Sequence, residues 1–500
     1  MSENNTTTTQ QQQMVRGTAW LTASNFLSRL LGAFYIIPWY AWMGTHAEQA
    51  LFGMGYNIYA VFLLISTAGI PVAIAKQVSK YNALGQEETS YHLLRKILKL
   101  TSILGLIFAA IMYLGSPLLA AWSGGGEDLV RVMKSLSWAL LIFPSMSVLR
   151  GFFQGFNNLK PYAMSQIAEQ IIRVIWMLLT AYIIMNIGSG DYVNAVVQST
   201  FAAFIGMIAS VLVLVVFLWR EGKWQAIFAG NTNDVTVDTQ ALILETIKEA
   251  VPFIITGAAI QLFQIVDQMS FINTMTSFTS YSNKDLQILY AFLSSNPNKI
   301  TMILVSIATA IAGAGIPLLT ENFVNKDKKA AAQLVVNNLQ MLWMVLFPAL
   351  VGAIILAEPI YTLFYGAPSN TALWLFVGAL IQVIFLALYS LLAPMLQALF
   401  EPRKAILYFV YGLVVKIVLQ IPLIYVFQAY GPLISTAIGL AVPIVLMYRR
   451  IHEVTGFNRQ GLRRSILLMT LLALIMGVVV AIAAYGLHFA ISPTTRLGSV

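Results

Sequence analysis

Apolar residues fill thirteen long segments of this chain, and polar residues gather in the short stretches between them. Nearly all of these segments reach the roughly 20 residues that a helix needs to cross about 30 Å of hydrocarbon. They are 17–43, 52–75, 97–120, 131–153, 162–187, 192–219, 248–273, 287–318, 334–357, 372–395, 405–427, 431–448 and 465–489. Because only helices and closed barrels satisfy the backbone in lipid, the pattern predicts an all-α polytopic membrane protein.

Basic residues divide unequally between the two faces of this predicted bundle. The loops on the same membrane side as the N-terminus hold 20 of the 29 Lys and Arg residues. The loops on the other side hold only Arg131, Lys134, Lys284 and Arg496. Basic loops stay on the cytoplasmic side, so we expect a multi-pass protein of the cell (plasma) membrane with its N-terminus in the cytoplasm. The net charge of +9 then faces anionic lipid, and no nucleic-acid partner is expected.

Composition narrows the chemistry further. Hydrophobic residues make up 58% of the chain and charged residues 10%, and there is no cysteine, which excludes disulfides and thiolate metal sites. The four histidines lie in four different regions, so neither a metal site nor a cofactor is expected. Residues 1–13 end in a Thr/Gln tract and predict a disordered tail. The first apolar segment is too long for a cleavable signal peptide and predicts a signal anchor.

A short Gly-Ile-Pro motif recurs in the two halves of the chain. Gly69-Ile70-Pro71 ends the second segment, and Gly315-Ile316-Pro317 ends the eighth, 246 residues later. Six spans followed by six in the same orientation predict two six-helix lobes in a parallel pseudo-two-fold repeat, with substrate held near the midplane. The predicted parts are an N-lobe at 14–219, a cytoplasmic linker at 220–247, a C-lobe at 248–452 and a C-terminal helix at 463–500. Thirteen spans are visible and a fourteenth is expected. Because twelve of them form the two lobes, one or two helices remain at the C-terminus.

Three cations lie deep inside predicted spans. Arg29, Lys299 and Lys416 belong to spans 1, 8 and 11, and a charge at the membrane centre costs about 2.5–3.5 kcal/mol on insertion scales. Residues of this kind face a cavity or a partner, so the three predict one central cationic cavity with an anionic ligand. For Lys416 the alternative is an ion pair with an acid that the sequence does not locate.

Other charges inside the spans allow two interpretations each. Glu169 and Arg173 are spaced i,i+4 in span 5, which fits an intrahelical ion pair as well as contact with a substrate. Asp267 in span 7 is the candidate ion-coupling site. In the alternative interpretation, Asp267 is paired with one of the cavity cations. Arg150 lies near a cytoplasmic helix end, where we expect it to extend along the helix to the interface.

Prolines within spans are candidate hinges. Pro38 and Pro71 lie in the first two spans, and Pro297 lies in the polar run 294–298 just before Lys299. A proline removes a backbone donor and kinks a helix, although simple packing geometry is an equal explanation. Polar residues beside a kink favour a water-lined position for Lys299.

Three stretches resemble one known family. They are 28–38 (SRLLGAFYIIP), 69–82 (GIPVAIAKQVSKYN) and 150–155 (RGFFQG), the last continuing to Glu169 and Arg173. These stretches resemble the YtgP/stage V sporulation protein B-like branch of MurJ-type lipid II flippases. That family lies within the multidrug/oligosaccharidyl-lipid/polysaccharide exporter superfamily, whose members of this type have fourteen helices.

The resemblance implies a flippase that moves undecaprenyl-diphosphate-linked peptidoglycan precursor (lipid II) from the inner to the outer leaflet by alternating access. Arg29 matches the cavity arginine of the family's Ser-Arg-x-x-Gly motif. The chain departs from the pattern of the Gram-negative members at two places. After Gly32, Ala33 and Phe34 replace an Arg-Asp pair. In span 8 a family arginine is absent, and Ser295 lies near its position. The implied partners are the lipid-linked glycan, membrane lipids, Na⁺ or protons as coupling ions, and the cell-wall synthesis machinery of cell shape and division.

Other functions remain open from the sequence. An enzyme is not expected, because the predicted outer loops are short and the chain has no Gly-x-x-x-x-Gly-Lys-[Ser/Thr] motif for a P-loop ATPase. A multidrug exporter would need acidic residues in its cavity, where cations predominate here. A flippase for another polyprenyl-linked polysaccharide shares the same diphosphate and lipid chemistry. A non-transporting scaffold of the division machinery is the fourth alternative.

The charge asymmetry generates a topological prediction. A tag at residue 2 or in the 220–247 loop should be accessible only from the cytoplasm, and a tag at 274–286 only from outside, because basic loops are retained inside. Labelling of single introduced cysteines in intact cells with a membrane-impermeant maleimide measures this, since the chain has no native cysteine. External labelling in the 220–247 loop would overturn the orientation.

Overall fold

The computed structural model describes residues 20–228 and 251–488, except positions 21–23, 25, 26, 29, 33, 45, 68, 69, 252 and 253. Helices and short connections make up these residues, and no β-strand occurs among them. The predicted tail, most of the predicted linker and residues 489–500 lie outside the described part. Arg29, the proposed cavity arginine of span 1, lies outside it too.

The described α-helices lie on either side of residues 229–250, which are outside the described part of the chain. In the first half they are α1 Ile36–Met43, α2 His46–Thr67, α3 Ile70–Ala83, α4 Glu87–Ser123, α5 Gly126–Gly155, α6 Leu159–Tyr182, α7 Tyr192–Arg220 and α8 Lys223–Phe228. In the second half they are α9 Ala259–Phe278, α10 Asn283–Tyr290, α11 Asn296–Val324, α12 Lys328–Ile355, α13 Ala357–Tyr365, α14 Asn370–Ala398, α15 Pro402–Phe427, α16 Gly431–Thr455 and α17 Arg459–His488. Each of the thirteen predicted segments overlaps at least one of these helices.

Length and composition make many of these helices suitable for a bilayer. Within the described residues, nine helices are long and apolar enough to span a membrane. The side chains that remain exposed on α17 are mostly apolar, among them Leu471, Val478 and Ile482. Exposed apolar surface of this extent fits contact with lipid, and the chain is a multi-pass membrane protein.

The chain divides into two compact units. The first contains Met1–Met43, Gly55–Ala121 and Gly125–Ile254, and the second contains Gly44–Met54, Trp122–Gly124 and Ile255–Val500. In the first unit, α3 packs on α5, α5 on α7, and α6 on α7. In the second unit, α11 packs on α14, α14 on α16, and α15 on α16. The two sets use corresponding helices of the predicted repeat, so each unit repeats the same internal packing.

Beyond the six-span repeat, α17 joins the second unit through α12. Trp343 Nε1 on α12 donates to Thr470 Oγ1 on α17 at 2.9 Å. At the predicted cytoplasmic end of α15, Glu401 accepts a hydrogen bond from Arg450 Nε on α16 at 3.2 Å. The Arg450 guanidinium thereby holds the pKa of Glu401 below its usual range. The Glu401–Arg450 ion pair therefore stabilises the fold at pH values above the usual pKa of a glutamate. Its contribution is lost as the pH falls and the Glu401 carboxylate is protonated.

Helices α15 and α16 cross closely at two glycines. A Cβ atom on Gly412 would lie 2.3 Å from the backbone oxygen of Gly439 and 2.7 Å from Pro443 Cδ. A Cβ on Gly439 would lie 2.9 Å from Lys416 Cβ. Small residues let the two backbones approach, which is the usual basis of tight helix packing in membranes. The crossing therefore sets the position of Lys416 beside α16.

Gly412→Ala should destabilise the second unit, because the new methyl group meets backbone that has no room to move. Overpacking of this kind costs about 1–3 kcal/mol, so the thermal unfolding midpoint of the detergent-solubilised protein should fall. Gly352→Ala on α12 is the matched control, because nothing lies within 4 Å of its new Cβ atom. Equal unfolding midpoints for the two variants would contradict the close crossing.

Candidate functional site

Three charged side chains form a buried network in the first unit. Glu169 on α6 is the centre: its Oε2 accepts a hydrogen bond from Arg150 Nη2 at 2.8 Å, and its Oε1 accepts one from Arg173 Nη2. Arg150 also donates to Ser165 Oγ at 3.0 Å and to Ser210 Oγ at 2.9 Å. The predicted i,i+4 ion pair is present, but it is part of a larger network with two cations and one anion.

The expectation for Arg150 was wrong. Instead of extending to the interface, its side chain is buried, and its guanidinium carbon lies 5.3 Å from the ring centroid of Tyr162. The physical reason is that Ser165, Glu169 and Ser210 supply acceptors inside the unit, so Arg150 does not need water. Arg150 was the member of this network that sequence reasoning missed.

Close contact between α3 and α5 places Arg150. A Cβ atom on Gly151 would lie 2.3 Å from the backbone oxygen of Pro71, and one on Gly155 would lie 2.8 Å from that of Ala75. The two glycines are four residues apart and form the small-residue seam typical of tightly packed membrane helices. Two of the sequence stretches that carry the family resemblance therefore pack directly against each other.

Arg173 retains hydrogen-bonding capacity beyond its ion pair. Its Nε is buried and has no partner among the described residues, and the same holds for the hydroxyl of Tyr59. Tyr59 and Tyr56 are electrostatic neighbours of the Arg173 guanidinium. A buried donor without a partner costs about 1–3 kcal/mol, so Arg173 is the member of the network whose hydrogen-bonding capacity is not fully met.

A second buried network lies in the second unit. Lys416 on α15 is fully buried, and its Nζ donates to Asp267 Oδ1 on α9 at 2.6 Å. The same Nζ lies 2.5 Å from Thr436 Oγ1, 3.3 Å from Ser435 Oγ and 3.3 Å from Gln420 Oε1. Gln420 Nε2 in turn donates to Asp267 Oδ1 at 3.0 Å.

Two predictions are corrected by this second network. Lys416 is not an uncompensated cation, because the Asp267 carboxylate neutralises it, and Asp267 is not an unpaired acid. The alternative pairing named for each residue is the one observed. Gln420, Ser435 and Thr436 were missed, although a partial signal existed: Gln420 is one helical turn after Lys416, and the two hydroxyl residues lie in the second turn of the next span.

A small cavity with a mixed polar and apolar lining borders the Lys416 network. It has about 50 Å³ of space open to water and lies within the second unit. Asp267 and Thr436 line it, together with Gln264, Asn298 and Thr301. A water needs roughly 10–15 Å³ of such space, so the cavity is large enough for a few waters or a small hydrated ion.

Lys299 belongs to a different part of the second unit. It is half-buried on α11, and its Nζ lies 5.5 Å from the ring centroid of Phe52. The segment Ala291–Ser295 just before α11 is a π-helical turn, and Pro297 is the second residue of α11. Asn296 Nδ2, on the first residue of α11, donates to Tyr361 Oη at 2.8 Å. The backbone is therefore irregular just before Pro297, and hinge motion there stays a prediction.

The other two candidate hinges lie in the first turns of helices. Pro38 lies three residues after a turn at Tyr35 that precedes α1, and Pro71 is the second residue of α3. A proline at the start of a helix lacks only an N–H that would have no helical partner. The positions fit hinges, and hinge motion stays a prediction.

Comparison with known proteins shows which family this chain belongs to. A family model described as polysaccharide biosynthesis protein matches residues 14–323. Lipid II flippase MurJ of Bacillus subtilis (strain 168) is 35% identical over 496 residues, which is 96% of this chain and 90% of that protein. This chain belongs to the polysaccharide biosynthesis protein family, in its MurJ-type branch. Stage V sporulation protein B of the same organism is 28% identical over 202 residues, covering 40% of this chain and 38% of that protein.

Solved structures show that the MurJ-type chain has the fold predicted for it. A structure described as lipid II flippase MurJ in an inward closed conformation matches with a TM-score of 0.65 at 15% identity, covering 92% of this chain and 91% of that chain. An inward-facing multidrug resistance MATE family transporter matches with a TM-score of 0.64 at 14% identity, covering 85% of this chain and 95% of the other. The predicted family resemblance and the all-α transporter fold are confirmed.

The charge network of this MurJ-type protein predicts an order of mutational effects. Glu169→Gln should destabilise most, by about 3–5 kcal/mol, because it leaves two buried cations without their anion. Arg173→Gln should cost less, since Glu169 keeps Arg150. Thermal unfolding of the purified variants measures this order. Glu221→Gln is the control, because Glu221 pairs with Lys223 near the surface and such a pair contributes about 0–1 kcal/mol. A smaller loss in Glu169→Gln than in Arg173→Gln would contradict the central position of Glu169.

Proposed function

We propose that this protein is a lipid II flippase, which moves undecaprenyl-diphosphate-linked peptidoglycan precursor from the inner to the outer leaflet of the plasma membrane. The observation that carries the proposal is 35% identity, over 96% of the chain, to a protein named lipid II flippase MurJ. The likeness to multidrug transporters is at 14% identity and supports the fold alone. The positive-inside distribution of Lys and Arg supports a cytoplasmic N-terminus.

The diphosphate headgroup would be bound by cationic side chains whose charge is not fully neutralised by acidic residues of the protein. Arg173 is the best-supported residue among those described, because it shares the Glu169 carboxylate with Arg150 and its Nε has no hydrogen-bond partner there. A planar guanidinium donates two parallel hydrogen bonds to phosphate oxygens. We propose Arg29 and Lys299 as further contacts of the headgroup. The support for Arg29 is its sequence motif alone. Glu169 orients Arg173 and Arg150.

Lys416 has a different proposed role. A fully buried ammonium beside a carboxylate contributes little charge to a distant anion, so we assign Lys416 to the Asp267 site instead of the headgroup. Asp267 remains the proposed ion-coupling residue, with Na⁺, protons or the membrane potential as the driving force. An inside-negative potential assists outward movement of an anion by about 2.3 kcal/mol per charge per 100 mV.

Alternating access of the two six-helix lobes is the proposed transport cycle, with Pro38, Pro71 and Pro297 as hinges. The irregular backbone beside Pro297 supports this assignment. The polyprenyl chain would stay in lipid while the headgroup crosses. A protein that supplies precursor to cell-wall synthesis would work beside the enzymes that use it, so the cell-wall synthesis machinery is a proposed partner.

A second candidate function is a flippase for another polyprenyl-linked glycan. The description of the matching family model, a polysaccharide biosynthesis protein, favours it. Both candidates need the same diphosphate contacts, and they differ only in the sugar that follows.

The decisive test is reconstitution of the full chain in liposomes that contain fluorescent lipid II. Outer-leaflet fluorophore is quenched with dithionite, and the loss of inner-leaflet signal gives the flipping rate. We expect saturable flipping, abolished by Arg29→Ala and only partly restored by Arg29→Lys, because lysine offers a point charge in place of the planar fork. Arg131→Ala, on a predicted external loop, is the control arginine and should flip normally.

The outcome also separates the candidates. Flipping of a polyprenyl-diphosphate carrying a different glycan at the same rate would favour the second function. Absence of flipping for every diphosphate lipid, in a protein that is folded and inserted, would reject both. Full activity of Arg29→Ala would remove Arg29 from the mechanism.

A further inference from the structure

We propose that the cavity of about 50 Å³ in the second unit is a subsite for an acetamido group on the sugar that follows the diphosphate of the substrate. Gln264 on α9 and Asn298 on α11 form its recognition groups. This subsite rests on the proposed flippase function and makes it more specific, because it names the substrate class as polyprenyl-diphosphate lipids whose first sugar is N-acetylated.

Two amide side chains in the cavity wall have hydrogen-bonding groups to spare. Gln264 Nε2 donates to Asn298 Oδ1 at 3.3 Å, and both side chains line the cavity. Within the described part of the chain, Gln264 Oε1 and Asn298 Nδ2 make no hydrogen bond. The wall therefore offers one acceptor beside one donor. A secondary amide carries one N–H and one C=O, so an acetamido group complements both.

The size and the remaining walls of the cavity fit the same group. A water needs roughly 10–15 Å³ of open space, so the cavity takes about three to five waters. An acetamido group, with its N–H, carbonyl and methyl, displaces about that many. Apolar side chains complete the lining, among them Phe263, Leu293 and Leu433. They suit the methyl group, which a plain hydroxyl on the sugar would not replace.

Charge favours a neutral ligand in this cavity over the diphosphate itself. Asp267 is the single charged residue among the described residues that line it, and the Lys416 ammonium compensates its carboxylate at 2.6 Å. A diphosphate needs several cationic donors, which this lining does not provide. A neutral amide needs only hydrogen-bond partners to enter a buried site.

The position of the cavity along α11 matches the chemistry of an amino sugar. In common amino sugars, the carbon that carries the acetamido group is bonded to the carbon that carries the diphosphate. Asn298 is followed directly by Lys299, the proposed headgroup contact of the second unit. Ser294, in the π-helical turn before α11, also lines the cavity. Such turns are frequent at functional sites.

The test compares two lipids that differ only in this group. Undecaprenyl diphosphates carrying either N-acetylglucosamine or glucose are titrated into the purified full-length protein, and microscale thermophoresis gives the two dissociation constants. We expect the N-acetylglucosamine lipid to bind the wild type about tenfold more tightly, which is the gain from two hydrogen bonds of ordinary net strength.

Asn298→Leu keeps the approximate shape of the side chain and removes its hydrogen-bonding groups. It should weaken only the N-acetylglucosamine lipid and bring the ratio of the two dissociation constants close to one. A purely structural role of Asn298 would weaken both lipids and leave the ratio unchanged. Asn337→Leu on α12 is the matched control, because Asn337 lies outside the cavity and its side chain bonds to Gln333.

Equal affinity of the wild type for the two lipids would overturn the subsite without any variant. If Asn298→Leu does not fold, Gln264→Met is measured in its place. A tenfold wild-type preference that the folded cavity variant retains in full would also overturn the subsite.

A transport measurement separates the subsite from the proposed function. Flipping of fluorescent lipid II in liposomes, together with equal affinities for the two test lipids, would reject the subsite and leave the flippase function. A protein that prefers the N-acetylglucosamine lipid but flips no diphosphate lipid would reject the flippase function and leave the subsite.

Discussion

A charge buried away from water needs a countercharge or several hydrogen-bond partners, and this constraint organises both units of the protein. In the first unit one carboxylate, Glu169, serves two arginines. In the second unit one ammonium, Lys416, is surrounded by four oxygens. The helices that carry these groups are also those that pack most closely. Helix packing and charge compensation therefore depend on each other, because removing one charge exposes others to a low-dielectric interior.

Small residues make this compensation geometrically feasible. Gly151 and Gly155 let α3 approach α5 beside Arg150, and Gly412 lets α16 approach α15 beside Lys416. In both units a glycine crossing stands next to a buried cation. A larger residue at the crossing would separate the helices and lengthen the hydrogen bonds of the cation. The motif Arg-Gly-Phe-Phe-Gln-Gly at 150–155 thus has a physical explanation: it combines the cation with the two glycines that allow its burial.

The two networks differ in what they leave available. The first has two cations for one anion, and buried polar atoms of Arg173 and Tyr59 have no partner among the described residues. The second is neutral, because the Lys416 ammonium and the Asp267 carboxylate compensate each other. The difference follows from the number of acids: one in each network, against two cations in the first and one in the second.

The sequence by itself determined the membrane class, the helical segments and the family, because periodicity, span length and loop charge are local properties. It also identified Arg173, Glu169, Asp267 and Lys416 as costly charges that required an explanation. It did not show that Asp267 and Lys416 are partners 149 residues apart, nor that Arg150 turns inward to Glu169. Only the tertiary structure decided these pairings, since a countercharge is recruited from whichever helix lies alongside, and neighbours in space cannot be read from spacing along one chain.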